Sequence, residues 1–298
     1  MYDLIDENAD FLVVDKHPEI SIHDEDNAVV VSKENHKGLI KQLRIDFNNN
    51  TIAPVHRLDK STSGLLICSK NSQAASVLSQ AFQNRQVEKY YLAISDNKPS
   101  KKQGLISGDM LRTRNGSWKL SKAKTNPAVT QFFSYSLNII NNSRGRLFVL
   151  KPLTGKTHQL RVALKTIDAT ILGDKRYGKI KKTDVTSYKD ISSREKVEQN
   201  TNDLNLDDTE KNNVGQHNIK NMSVHIEPIE RMHLHAYVLR FVYNDKPFSY
   251  CALPKGGEFT DDLNHYIKSN LGEPWALKWP AFAKNMQVCD SSTIKKQL

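Results

Sequence analysis

Short apolar runs, alternating in part with polar residues and broken by Gly, Asn, Pro and Ser, set the pattern of this chain and predict strands. Asp10 to Asp15 reads as a first strand, interrupted by Lys16-His17-Pro18. Gly64 to Ser69 and Val87 to Ser95 read as two more. Gly104 to Lys124 alternates around Gly and Asn turn signals and suits hairpins. Thr130 to Tyr135, Arg146 to Leu153, and a closing pair at Val238 to Tyr243 and Phe248 to Leu253 complete the strands. Helical spacing occurs at Ser72 to Asn84, through Ala75, Leu78, Ala81 and Phe82, and again at Thr157 to Thr166. Strands follow one another mostly as hairpins, not in alternation with helices. The fold class expected is therefore α+β, built on a mixed, mainly antiparallel sheet flanked by helices and loops.

One stretch departs from this pattern. Lys181 to Met222 is dominated by Lys, Asp, Ser, Asn, Thr and Glu, with Tyr188 its single aromatic residue. Such a segment buries too little apolar surface to offset its ordering entropy, so it reads as a mobile insertion. The 298 residues suit one large domain or two modest ones, and the 38% hydrophobic content is adequate for a core but slightly thin. The organisation expected is a catalytic domain over residues 1–270, carrying the insertion at 181–222, and a tail over 271–298 whose Trp275 and Trp279 pack back on it.

Lysine and arginine exceed aspartate and glutamate by 43 to 33, a formal charge of +10, which favours a polyanionic partner. No apolar run is long enough to cross a bilayer. The acidic start, Met1 to Glu7, lacks the basic region of a signal peptide. Cys68, Cys251 and Cys289 are far apart and odd in number, without metal-ligand or disulfide spacing. A reducing cytoplasm fits best, with no membrane span and no metal-ligand cluster expected.

Three segments could carry chemistry. In His56-Arg57-Leu58-Asp59-Lys60-Ser61-Thr62-Ser63-Gly64, Asp59 stands between two cations. Cations keep a partly buried carboxylate ionised, and an ionised carboxylate can act as a nucleophile; a structural ion pair would look the same. In Thr154-Gly155-Lys156-Thr157-His158-Gln159-Leu160-Arg161, Gly155 allows close approach of another backbone. Thr154 or Thr157 could cap the following helix. Arg161, on the face of Thr157, could pair with a buried carboxylate in bidentate geometry. His158 and Gln159 could equally serve hydrogen bonding within the turn. In Val87 to Ala93, Tyr90 and Tyr91 point to opposite faces of a strand, so one could pack in the core while the other lines a cleft; two such rings could equally serve packing alone.

Together these segments resemble the RluA-type family of pseudouridine synthases. Phe11 to Pro18 is similar to the family's opening strand and Lys-Pro turn, and His56 to Gly64 matches its H-R-L-D-x-x-T-S-G signature at every specified position. Lys89 and Tyr91 fit its K-x-Y pair. Gly155 to Arg161 is similar to its G-R-T-H-Q-[IL]-R motif, with Lys156 in the first Arg position. Gly173 to Gly178 and Leu234-His235-Ala236 resemble later landmarks. The likeness runs from about residue 4 to 254.

The resemblance implies isomerisation of a uridine in structured ribosomal or transfer RNA to pseudouridine. It implies Asp59 as nucleophile, Arg161 as its partner and Tyr91 as the ring that stacks on the target base. Arg57 would fill the gap left by the flipped nucleotide, and His56, Lys89, Lys156 and His158 would join it in contacting RNA. No cofactor or protein partner is implied, and a monomer is expected. The sequence departs from the pattern at His17 and Glu19, where Pro and Gly are usual, and at Ala163, where His is usual. These departures bear on the choice of RNA more than on activity. The family's frequent N-terminal S4-type domain is expected to be absent. Two other classes remain: a catalytically silent RNA-binding protein or chaperone, against which the intact trio argues, and a glycosidase or nucleosidase, which would ordinarily need a second carboxyl.

Overall fold

The computed structural model describes residues 1–24, 38–139, 143–178 and 231–280. The insertion expected at 181–222, the end of the tail and Cys289 lie outside them. The strands are β1 (Tyr2–Glu7), β2 (Phe11–Lys16), β3 (Ala53–Pro54), β4 (Ser63–Ser69), β5 (Glu88–Ser95), β6 (Gln103–Gly108), β7 (Met110–Arg112), β8 (Trp118–Leu120), β9 (Ala128–Ile139), β10 (Ser143–Pro152), β11 (Leu234–Tyr243) and β12 (Lys246–Cys251). The helices are α1 (Leu39–Asp46), α2 (Ser72–Gln83), α3 (Gln159–Thr166) and α4 (Asp261–Leu271).

Ten strands form one sheet in the order β1-β2-β4-β11-β5-β10-β9-β6, with β12 added on β11 and β3 on β4; β7 and β8 form a separate hairpin. Every pairing is antiparallel except β11 with β4. The α+β expectation holds.

Both faces of the central strands are covered, so their residues are apolar at nearly every position instead of alternating with polar ones. The period-two geometry then sorts them. Leu12, Val14, Leu66, Tyr91, Phe148 and Leu150 share a core with α1 and α3. Phe11, Val13, Leu65 and Ile67 pack on the other face with α2. Tyr90, Leu92, Leu147 and Val149 meet α4 there. Tyr90 and Tyr91 therefore face opposite sides, as their adjacency in a strand requires.

In α2, Asn71 caps the helix through its side chain, and the buried positions are Ala74, Leu78 and Ala81. The inward stripe thus runs through Ala74 in place of Ala75. Helix α1 and strand β1, neither anticipated, are short, and β1 leaves Leu4 and Ile5 exposed. Their apolar residues form no long periodic run. Helix α4 is capped by Thr260 and begins with Asp261 and Asp262, which suit the positive end of its dipole.

The β4–β11 junction sets the position of the signature loop. Gly64 has φ +111°, and a Cβ there would collide with the backbone of Ala236 on β11. Only glycine allows the two strands this approach. Next to it, Ser63 Oγ lies 2.9 Å from His235 Nδ1, and His235 Nε2 lies 2.8 Å from the Ala252 carbonyl. A carbonyl only accepts, so His235 carries its proton on Nε2 and Ser63 donates to Nδ1. Burial holds His235 neutral, with its pKa pushed down to about 3.

Candidate active site

Asp59 sits in the loop that leads into β4, and two anchors hold that loop. Its own carbonyl accepts from the Thr62 N–H at 3.0 Å, closing a turn. Behind it, the buried Lys16 ammonium donates to the carbonyls of His17, Ile20 and Lys60 at 3.0, 3.0 and 2.9 Å. Three N–H donors meet three carbonyls, which ties the end of β2 to the loop. Glu19, in that same turn, adopts φ 60°. A left-handed backbone is the reason glycine is the easier residue at this point.

Arg161 reaches Asp59 from α3. Its Nη1 donates to Asp59 Oδ2 at 3.1 Å. The bidentate partner is a different acid, Asp174, which accepts from Nε and Nη2 at 2.8 Å each. Asp174 is buried and also accepts from the backbone N–H groups of Arg176 and Tyr177. Burial opposes charge on both partners, but their mutual hydrogen bonds outweigh it, holding Arg161 above and Asp174 below the usual range. Asp174 lay in the recognised Gly173 to Gly178 landmark; nothing in the sequence showed which cation it would meet.

The turn before α3 differs from expectation. Neither Thr157 nor Thr154 caps the helix. Its N-cap is His158, in the left-handed region at φ 55°, without a side-chain cap bond. Gln159 instead organises the turn: its side chain accepts from Thr154 Oγ1 and the Lys156 N–H and donates to the Val129 carbonyl and Thr130 Oγ1. A Cβ on Gly155 would meet the Lys89 ammonium at 3.9 Å, not a backbone.

His158 lies 3.9 Å from Asp59 through Nε2, and its Nδ1 is 2.8 Å from the Tyr177 hydroxyl. That hydroxyl also accepts the Trp118 N–H at 3.0 Å. We assign the hydroxyl proton to Nδ1, which leaves the imidazole proton on Nε2, facing the carboxylate. Burial lowers the His158 pKa, against the pull of Asp59.

All eight residues singled out in the sequence line one cleft of about 1160 Å³: His56, Arg57, Asp59, Lys89, Tyr91, Lys156, His158 and Arg161. Tyr91 is buried beneath it; burial and the nearby Asp59 charge raise its hydroxyl well above the ordinary tyrosine range. Arg57 is exposed. Lys156 donates to Asn126 Oδ1 at 2.8 Å. Lys89 lies 5.7 Å from the Phe82 ring centre, and burial, helped by Arg85, pushes its pKa down to about 8. His56 has an internal role. Its Nε2 accepts from the Ile67 N–H at 3.0 Å and its ring stacks on Phe82, so it ties the signature loop to β4.

Arg85, Lys151 and Lys278 add positive charge to the lining, against two carboxylates, Asp59 and Glu88. The cleft exceeds the size of a typical small-molecule site and its field suits a phosphate backbone. Among the described residues, no group of three His, Cys, Asp or Glu could hold a metal ion, and no helix is long and apolar enough to cross a membrane. Chemically, the arrangement offers one oriented carboxylate beside a neutral imidazole and an aromatic ring.

Residues 10–166 match the RNA pseudouridylate synthase family. An uncharacterised RNA pseudouridine synthase of Haemophilus influenzae is 37% identical over 257 residues, covering 86% of this chain and 89% of that one. The ribosomal large subunit pseudouridine synthase D of Borreliella burgdorferi is 41% identical over 145 residues, 47% of this chain and 43% of the relative. Among solved structures, human RNA pseudouridylate synthase domain containing 1 superposes with a TM-score of 0.59 at 23% identity, covering 94% of this chain and 97% of that chain, a likeness of fold.

Proposed function

Because the chain belongs to the RNA pseudouridylate synthase family, and within it to the RluA type, we propose that it isomerises a specific uridine in structured ribosomal or transfer RNA, with Asp59 as the nucleophile. The observation that carries this reading is the Arg161 guanidinium, which joins Asp59 to the buried Asp174 and so fixes one carboxylate in a basic cleft.

The reaction breaks the bond from N1 to C1′ and joins the ribose to C5. A base stacked in a helix cannot turn over, so the nucleotide flips into the cleft, at a cost of a few kcal/mol. Backbone contacts to Arg57, Lys89 and Lys156 offset that cost, as does stacking on Tyr91. Asp59 then attacks C1′ or C6, or takes the 2′ proton to give a glycal. Arg161 holds one oxygen of Asp59 in place for that step. Loops and bulges are the least costly targets, and residues 1–270 carry the catalytic domain.

Pseudouridine mapping of total RNA from a strain lacking the protein, against its parent, tests this reading. One or more sites missing from ribosomal or transfer RNA and restored by the wild-type chain, but not by Asp59→Asn, is the expected result. Identical maps from strain and parent would overturn it.

A further inference from the structure

Residues 275–280 line the same cleft as the sequence motifs, and their packing shows a built surface. Trp279 is the anchor. Its ring meets Phe133 at 4.9 Å and Tyr90 at 5.8 Å between centres, and its Nε1 donates to the Pro274 carbonyl at 2.8 Å. Gln131 donates to the Pro280 carbonyl and fixes the far end. Between these points, a 3-10 turn over Pro274–Ala276 presents Trp275.

Trp275 is held differently. The Arg240 guanidinium lies 4.4 Å from its ring centre. Arg240 is itself fixed by Glu88 at 3.0 Å, and Glu88 takes Lys151 on its other oxygen at 3.0 Å. This buried triad carries one net positive charge beneath a ring that is only half-buried and lines the same cleft as Asp59, Tyr91 and Arg161. A ring with a cation on one face is polarised to receive a base on the other.

We propose that Trp275 is an RNA-stacking residue: a base of the substrate strand beside the flipped uridine lies on the part of the indole that faces the cleft. The proposal rests on the reading of the cleft as an RNA site and adds a determinant of which RNA it takes. RNA is favoured as occupant because Lys151, Lys278 and Lys89 share the lining with the ring. Glu88 and Arg240 are positioning residues, acting through the indole.

The test uses the full chain in the Asp59→Asn background, with ribosomal RNA and transfer RNA purified from cells lacking the protein. Trp275→Leu should weaken binding about tenfold, the scale of one lost base stack, and Trp275→Phe should restore most of it. In the otherwise wild-type chain, Trp275→Leu should raise KM by a similar factor with kcat unchanged. RNA should quench indole fluorescence less in Trp275→Phe than in its parent. Unchanged affinity in Trp275→Leu, or a Phe variant as weak as the Leu variant at equal thermal stability, would overturn the proposal. Because binding is read without turnover, an inactive wild type would sink the proposed reaction and leave this inference standing on its own result.

Discussion

Arg161 gives Asp59 a single hydrogen bond, from Nη1 to Oδ2 at 3.1 Å. The fork of the guanidinium goes to Asp174. Asp59 therefore has its charge balanced and one oxygen oriented, while its second oxygen takes no hydrogen bond from the described residues. A carboxylate gripped at both oxygens would be a poorer nucleophile than one held at the side and open toward the cleft.

Asp59→Asn and Asp59→Ala should fold and still bind RNA, yet form no pseudouridine. Tritium release from C5-labelled RNA measures this directly; turnover at the wild-type rate in Asp59→Ala would refute the assignment of the nucleophile.

Asp174 should matter nearly as much as Asp59, for a different reason. Removing one partner of a buried charge pair leaves the other uncompensated, at a cost of about 3–5 kcal/mol. Asp174→Ala should lower Tm markedly and abolish activity. Asp174→Asn, which keeps the shape and some of the hydrogen bonding, should retain more stability yet loosen Arg161. Calorimetry with the tritium assay separates the two losses, and a stable, fully active Asp174→Ala would contradict the role given to this acid.

Gly64→Ala should be among the most damaging small substitutions in the chain. The added methyl meets the Ala236 backbone, and φ +111° is strained for any side chain. Overpacking and backbone strain together should cost roughly 3 kcal/mol or more. Denaturant unfolding of whatever soluble protein can be recovered is the check.

Lys89 should make RNA binding depend on pH. Burial and Arg85 lower its pKa from 10.5 to about 8 in the folded protein. For a lowered amine, the unfolded chain binds more protons between those values, so stability of the free protein should rise with pH across that window. RNA phosphate favours the charged form. Affinity should therefore be full below about pH 8 and fall as pH rises through it, approaching about tenfold per pH unit for one proton taken up. Titrating Kd from pH 7 to 9 in wild type and Lys89→Met checks this; an equal slope in both would refute it.

Much of the site was legible because its chemistry lies in contiguous segments. His56 to Gly64 and Gly155 to Arg161 each bring several groups together by local geometry alone, and the Tyr90–Tyr91 division follows from strand pleating. What escaped was long-range. Asp174 and Arg161 meet through a turn whose path no periodicity encodes. The Glu88–Lys151–Arg240 triad draws on three strands. The N-cap at His158 defeats propensity, since Gln159 and its four bonds hold the turn in place of Thr154 or Thr157. The short helix α1 has too few turns to show a period.

The placement of β11 also sets an order of events. This strand, from residues 234–243, sits between β4 and β5, from residues 63–69 and 88–95. During translation, Asp59, Tyr91 and Arg161 all leave the ribosome well before the strand that completes their sheet. Until β11 arrives, β4 and β5 have exposed edges facing each other and no ladder between them. The chain is therefore slow to close by topology, and the site comes together only after residue 243 has been made.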